Sequence, residues 1–356
     1  MILYQYFKGG NFMDQILDGK MLADKICQNL KSIVSEYNGA NYGNGMKLVI
    51  VSTGNEDASK VYVNSKKKRC SEIGIIPITL HYDFLSKAAL NDLVDELEDL
   101  DYPPFIIQLP IVGNVTRCDV FNALTDNINN NERYRNINSD ELIKRMDVDG
   151  LISTINLIAQ TNPEFFFNSS PDLLSHINLP CTPLGIIALL DYYEFSYETS
   201  HAVILGRSEL VGKPLERMLL DRNCTVTMMH SYSGIDMIHQ EIMNADLLIT
   251  AMGNTSILNS DVIFNTGAWR LSNLTVVDVG INRDKNGNLC GDFDPSLYNQ
   301  CKQYTPVPGG VGPMTVAMLM CNVVKYYQDT YDHKYAGAWQ PVYPMKFYPN
   351  HIEVYQ

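Results

Sequence analysis

Leu205-Gly206-Arg207-Ser208-Glu209-Leu210-Val211-Gly212-Lys213-Pro214-Leu215 decides the reading of the chain. It follows Ala202-Val203-Ile204-Leu205, an unbroken apolar run that suits a strand buried on both faces, and it opens a helix. Gly206 permits the tight turn. Gly212 lets backbone and helix approach a diphosphate, whose charge the helix N-terminus favours. The spacing is not Gly-x-Gly-x-x-Gly, so an ordinary strand-to-helix turn is an equal reading of this stretch alone. Three further runs, Thr225–Met229, Leu247–Thr250 and Val276–Asp278, complete four strands of a doubly wound sheet. Arg207 in the turn and Ser231, just after the second strand, are placed to hold a ribose phosphate. A carboxylate at the end of that strand would favour NAD; Met229-His230-Ser231 stands there instead, which tilts the choice to NADP.

The same alternation recurs toward the N-terminus. Gln15–Lys20 reads as a turn, and Met21–Tyr37 carries Leu22, Ile26, Leu30, Ile33 and Val34 at helical spacing. After a glycine and asparagine loop at Asn38–Asn44 come a strand at Lys47–Ser52, a helix through Val61–Cys70, a strand at Ile75–Leu80, a helix at Leu90–Leu100 and a strand at Phe105–Pro110. Strand and helix alternating in this way imply a parallel sheet with its site at the carboxyl ends of the strands. The expected architecture is α/β with two domains divided near Pro180–Gly185: one over 1–182, completed by 316–356, and a doubly wound, Rossmann-like one over 183–315. The final apolar helix, Thr315–Tyr327, is expected to return to the first domain. Asn127–Glu132 and Thr161–Leu179 read as surface excursions, and Tyr331–Gln356 as a tail on the surface with no packed element.

A chain of 356 residues with 46% hydrophobic content has ample core for two domains. Its net charge of −13 argues against nucleic acid as the main partner, because phosphate backbones need a clustered basic face. Eight cysteines stand singly with no Cys-x-x-Cys pair and no histidines at metal spacing, which points to free thiols in a reduced compartment and to no metal site. Met1–Phe7 is too short for a signal-peptide core, and no run approaches the roughly 18 apolar residues of a membrane span. A cytoplasmic protein with no membrane partner is the expectation, with an organellar address for the short extension Met1–Phe12 as the other reading.

Within Val61–Cys70, Tyr62 and Lys66 lie four residues apart, so a helix projects an aromatic ring and an ammonium from one face. That pair can stack on a flat substrate and move a proton beside it, while the plainer reading is a solvated basic helix over a core tyrosine. Gln108 puts an amide where a strand calls for an apolar residue. Asp147 and Asp149 fit calcium ligands, an acid pair or an Asx turn, the turn being commonest. Tyr304–Thr315 is expected to be a loop, because clustered prolines and glycines forbid regular structure; its bare backbone can press on a ligand, and Thr315 can cap the last helix.

Together these stretches resemble the bifunctional methylenetetrahydrofolate dehydrogenase/methenyltetrahydrofolate cyclohydrolase family. The matching segments are Tyr62-Val-x-x-Lys66, Gln108-Leu-Pro110, Asp147-Val-Asp-Gly150, Pro180-Cys-Thr-Pro183, Gly206-Arg-Ser-x-x-Val-Gly212, Asp278-Val-Gly-Ile-Asn282 and Thr305–Thr315, in the family's order from about Leu17 to Tyr327. The resemblance implies two domains facing a cleft, with folate on the first, catalytic domain and NADP on the second, a homodimer through the nucleotide domain, and a place in one-carbon metabolism that feeds purine biosynthesis. It makes Lys66 the catalytic lysine, Tyr62 the ring stacked on folate, Gln108 the partner that orients the lysine and Asp149 the carboxylate on the pterin. Pro308 and Gly309 resemble folate-contacting backbone. Arg207 and Ser231 match positions that grip the NADP 2′-phosphate, and Thr182, Gly206, Ser208, Gly212, Gly280, Ile281 and Thr315 fall at other cofactor positions.

The chemistry agrees. Oxidising a methylene bridge needs the bridge carbon held face to face with a nicotinamide ring. Hydrolysing the resulting cation needs water and a group that can be neutral near pH 7. For a lysine, with an ordinary pKa of about 10.4, that means lowering by burial and nearby cations. The chain departs from the pattern in an extra residue between Gly150 and Asn156, in Leu157-Ile158-Ala159 where a glycine is usual, in the Thr161–Leu179 insertion and in its longer tail. The alternatives to this reading are a monofunctional or NAD-preferring member of the family and a silent folate- or nucleotide-binding scaffold.

Overall fold

A computed structural model describes residues 15–39, 45–55, 57–136, 138–151, 178–254, 258, 271–334, 345–348 and 351–354. Met1–Phe12, Leu157-Ile158-Ala159 and almost all of the Thr161–Leu179 insertion lie outside them. The elements of the first half are α1 (Gly19–Gly39), β1 (Lys47–Thr53), α2 (Asp57–Ile73), β2 (Ile76–Tyr82), α3 (Lys87–Asp99), β3 (Phe105–Ile107), α4 (Arg117–Asn130) and α5 (Ser139–Met146). Their parallel sheet has the order β2-β1-β3. The central strand β1 is buried from Leu48 to Thr53, whereas β2 at the edge is half exposed, which is why the first reads as an unbroken apolar run and the second does not. Beyond β3 the backbone of Asp147 bridges to Phe105, so the chain after α5 is tied to the sheet edge.

The second half contributes α6 (Cys181–Tyr192), β4 (His201–Leu205), α7 (Gly212–Leu220), β5 (Thr225–Met229), α8 (Ile235–Met243), β6 (Leu247–Thr250), β7 (Thr275–Asp278), the short pair β8 (Asn282–Arg283) and β9 (Leu289–Cys290), and β10 (Gln303–Tyr304). Here the order is β10-β7-β6-β4-β5, all parallel, and the chain adds β5 on one side of β4 and β6 and β7 on the other, so the winding reverses at β4 as in a doubly wound fold. The four strands expected from sequence are all present, and β10 is a fifth.

The helix α9 (Val311–Lys334) returns to the first sheet, packing along α1 and α6. The Tyr326 hydroxyl donates to the Tyr102 carbonyl at 2.8 Å, and the Tyr327 hydroxyl both donates to the Lys47 carbonyl and accepts its N–H. One apolar core runs through α1, β1, α6 and α9, and a second fills the far face of β6 and β7.

Five local expectations are corrected. Gln15–Lys20 is not simply a turn: Ile16 bridges to Tyr304 and the helix begins at Gly19, whose missing Cβ would stand 2.0 Å from the Gly310 carbonyl oxygen. Asn38 and Gly39 continue α1 and are not loop. Asn127–Asn130 forms the last turn of α4, because Asn127 and Asn131 donate to the Glu98 carboxylate at 3.1 and 2.5 Å and Asn127 accepts from Tyr102. Tyr304–Thr315 is not all loop: it opens in β10 and helix starts at Val311, with Pro313 in the first turn, where a missing N–H costs nothing. Thr315 is therefore inside α9, donating to the Val311 carbonyl at 3.2 Å, and does not cap it. The tail, finally, contains the antiparallel pair β11 (Met345–Tyr348) and β12 (His351–Val354), with β12 against α6.

Candidate active site

The sheet order puts the crossover switch of the first half between β1 and β3, where ligands of open α/β sheets bind. Gln108 follows β3 directly. Its N–H is bonded to the Val51 carbonyl at 2.8 Å, and its side-chain nitrogen donates to the Leu109 carbonyl at 3.1 Å, which turns Oε1 outward. Lys66 on α2 donates to that oxygen at 2.9 Å. Leu109–Pro110 is a cis peptide, and Thr53 at the end of β1 locks the segment by accepting from the Val112 N–H at 2.7 Å. The lysine and the amide expected to act together are thus in direct contact.

Tyr62 stands one turn before Lys66 and is 37% exposed. Burial raises its phenol, and the charge of Arg283 in the second half pulls the other way. Asp149 is half-buried and reaches the same neighbourhood. The Cys181 thiol is pushed up by burial first and then by the charge and hydrogen bond of Asp149, while Lys66 lowers it. Asp149, Cys181 and Lys66 therefore share one electrostatic environment. Asp147 is placed differently: it is buried, its backbone carbonyl accepts the Gly150 N–H at 3.1 Å in a main-chain turn, and its backbone bridges to Phe105.

Two buried asparagines hold this segment. Asn178 donates to the Arg145 carbonyl at 2.8 Å and the Asp147 carbonyl at 3.2 Å. Asn322 of α9 donates to the carbonyls of Val148 at 2.9 Å and Leu179 at 3.1 Å and lies 3.6 Å from the Cys181 sulfur. Sequence reasoning missed Cys181 and Asn322. The one available signal was an amide in the middle of an apolar helix, a costly placement unless it has partners.

At the second switch point the turn after β4 is built by two glycines. Gly206 has φ +125°, and a Cβ there would stand 2.4 Å from the Ala251 carbonyl oxygen. A Cβ on Gly212 would stand 2.1 Å from the Gly206 carbonyl oxygen, so α7 starts directly against the turn. The Ser208 hydroxyl accepts the Val211 N–H at 3.1 Å. Arg207 lies over the exposed ring of Tyr232 at 5.7 Å, next to the exposed Ser231; Tyr232 is a further residue that sequence reasoning passed over. Thr182 and Thr315 join α6 to α9 through a 3.0 Å hydroxyl contact. Pro308 and Gly309 are fixed by the start of α1, where Lys20 donates to the Gly309 carbonyl at 2.8 Å; no hydrogen bond joins them to Lys66.

Gly280 and Ile281 sit above a buried pair of carboxylates. Asp278 accepts from the Thr250 hydroxyl at 2.8 Å and from the N–H groups of Gly280, Asp292 and Phe293 at 3.0–3.1 Å. Asp292 accepts three successive N–H groups, Met252, Gly253 and Asn254, and Asn282 Nδ2. The loops after β6 and β7 are thereby tied together beside the Gly206 turn. Burial pushes the Asp278 carboxyl up to about 6 in spite of its donors. Ile281 is left 49% exposed at the rim.

A cleft with a lysine and amide pair at one switch point and a glycine-built turn with an exposed arginine at the other defines a two-domain α/β nucleotide-dependent enzyme. The comparisons specify which. Residues 17–128 match the catalytic domain of tetrahydrofolate dehydrogenase/cyclohydrolase, and residues 180–331 match the NAD(P)-binding domain of the same enzyme. The chain belongs to the tetrahydrofolate dehydrogenase/cyclohydrolase family. It is 34% identical to the bifunctional protein FolD of Nitrosomonas europaea over 91% of this chain and 97% of that one. The structure of the bifunctional FolD enzyme of Campylobacter jejuni superposes with a TM-score of 0.70 at 31% identity, covering 88% of this chain and 99% of the other. A methylenetetrahydrofolate dehydrogenase of the silkworm Bombyx mori gives 0.70 at 26% identity, with 90% and 100% covered. The α/β architecture read from sequence is borne out.

Proposed function

We propose that this enzyme oxidises 5,10-methylenetetrahydrofolate with NADP and hydrolyses the methenyl product to 10-formyltetrahydrofolate. The observation that carries the reading is the 2.9 Å contact between Lys66 and Gln108 at the switch point, with Tyr62 one turn away and Asp149 in the same electrostatic environment. Tyr62 stacks on the flat part of the folate, and Asp149 accepts hydrogen bonds from the pterin. Lys66, oriented by Gln108, moves the protons of the hydrolysis: water adds to the methenyl carbon, its proton leaves, and the ring nitrogen is released as the formyl group forms. Pro308 and Gly309 offer backbone to the substrate edge.

The second half fits NADP. Gly206 and Gly212 leave bare backbone where a diphosphate would approach, and the exposed Arg207 and Ser231, beside Tyr232, are donors suited to a 2′-phosphate. Thr182, Ser208, Gly280, Ile281 and Thr315 complete the cofactor side. When bound, NADP supplies the hydride acceptor. The catalytic unit comprises 1–182 with 316–356, and the nucleotide unit 183–315. A homodimer through the nucleotide unit is favoured by β5, which ends the sheet as a partly exposed edge strand. A cytoplasmic location suits the eight free cysteines, and among the described residues no helix is long and apolar enough to cross a membrane. The formyl product would supply one-carbon transfer such as purine biosynthesis.

The test is a spectroscopic assay with methylenetetrahydrofolate and either NADP or NAD, following reduced cofactor and methenyl absorbance separately. Both activities with NADP support the reading. Loss of either activity, or a strong preference for NAD, contradicts it.

A further inference from the structure

The strands β4 and β5 lie side by side in parallel with Leu205 opposite Met229, and the Gly206 N–H donates to the Met229 carbonyl at 2.8 Å. Arg207 and Ser231, each two residues further on, therefore leave the sheet at the same level. Both backbones are fixed. A Cβ on Gly212 would stand 3.0 Å from the Arg207 Cα, so the start of α7 packs against the first turn. The second turn closes on itself: the Ser233 N–H donates to the His230 carbonyl at 2.8 Å, and the His230 N–H donates to the Ser233 hydroxyl at 3.1 Å.

What the turns leave free is the exposed Arg207 side chain, which has much rotamer freedom to lose. Among the described residues no carboxylate pairs with it, and Glu209, the nearest acid in sequence, lies 3.8 Å from Lys213. Its guanidinium lies over the Tyr232 ring, 5.7 Å from the centroid, within the range of a cation–π contact. The ring is itself placed by the second turn. The Tyr232 N–H donates to His230 Nδ1 at 3.2 Å, and the two rings meet edge to face at 6.2 Å. Tyr232 is 84% exposed, so it holds the arginine without burying it, and the guanidinium donors stay open to an anion.

We propose that Tyr232 is a positioning residue for the choice of dinucleotide: its ring holds the Arg207 guanidinium beside Ser231, in place for a 2′-phosphate before the cofactor arrives. The proposal rests on the NADP reading above and adds a residue that touches the arginine and not the phosphate. An arginine held in advance loses less freedom on binding, and the gain goes only to the dinucleotide that carries the extra phosphate. NAD, with a hydroxyl at that carbon, draws no benefit from the ring.

The test measures KM and kcat with NADP and with NAD for the full chain as wild type, Tyr232→Ala and Tyr232→Phe, and repeats Tyr232→Ala in an Arg207→Gln background. At so exposed a position neither substitution disturbs the fold. Tyr232→Ala should raise KM for NADP about two- to fivefold, the worth of a cation–π contact at an exposed site, with kcat and KM for NAD unmoved. Tyr232→Phe should keep the wild-type values, because the ring face and not the hydroxyl holds the cation. In the Arg207→Gln background the alanine substitution should add nothing. Equal rises for NADP and NAD would overturn the proposal, since the ring would then touch a part that both dinucleotides share. An effect that persists without Arg207, a phenylalanine that fails to substitute, or an NADP KM that alanine leaves unchanged overturns it as well. A wild-type enzyme that prefers NAD would instead sink the NADP reading itself, so the two failures are distinct.

Discussion

Replacing Asn322 by leucine tests how the last helix sets the folate carboxylate. The amide nitrogen serves the Val148 carbonyl, which is fully buried, and the half-buried Leu179 carbonyl, and touches the Cys181 sulfur. Without the amide the Val148 carbonyl keeps only the weak Cys181 thiol donor at 3.3 Å, a loss of about 1–3 kcal/mol, and the loss at the second acceptor is about 0.5–1.5 kcal/mol. A leucine of nearly the same shape returns about 1 kcal/mol through apolar burial. The net expectation is a loss of about 0.5–3.5 kcal/mol in urea unfolding of the full chain. Because Asp149 follows Val148 directly, the released segment also misplaces the carboxylate. KM for methylenetetrahydrofolate should rise about tenfold, while KM for the dinucleotide, bound across the cleft, stays the same. A stability change under about 0.5 kcal/mol with an unchanged folate KM would refute this; equal rises in both KM values would mean that Asn322 supports the fold generally and not the Asp149 segment.

Two further outcomes concern the nucleotide half. Arg207→Gln with Ser231→Ala should raise KM for NADP about tenfold to a hundredfold, the worth of lost charge-assisted hydrogen bonds, and leave KM for NAD within about twofold; steady-state kinetics with both cofactors decide it. Burial holds the Asp278 carboxyl at about 6 against an ordinary 3.8, so the folded state binds that proton more tightly than the unfolded state. Its contribution to stability is therefore greatest below about pH 4 and is lost as pH rises through about 6, by roughly 2–3 kcal/mol at most. The deficit of Asp278→Asn relative to wild type, measured by urea unfolding, should accordingly be smaller at pH 6.5 than at pH 4.5, and the reverse order would contradict the buried-carboxylate reading.

How much of this was legible in sequence follows from the range of the interactions involved. The strands β1 and β4 announce themselves because a strand covered on both faces must be apolar at every position, and the Lys66 and Tyr62 spacing is a property of one helix. Gln108 stood out as an amide in an apolar run, and its side-chain nitrogen bond to Leu109 is local. The start of α9 was hidden because Gly312 and Pro313 look like breakers, although proline is harmless in a first turn. Asn127 and Asn131 read as loop residues until Glu98 and Tyr102, about thirty positions earlier, are brought beside them. Asp292, Cys181 and Asn322 depend wholly on long-range partners. Asp292 in particular takes its meaning from three N–H groups about forty residues upstream. Tyr232 was passed over since an exposed tyrosine has no pattern until Arg207 lies across it.

The decisive measurement is on Lys66→Met. Both reactions are followed separately in one cuvette, with folate affinity checked by equilibrium binding. Methenyl hydrolysis should fall by at least about a hundredfold, the scale of a lost proton-transfer group, while folate still binds. Hydrolysis at the wild-type rate in a variant that binds folate normally would show that some other group moves the proton.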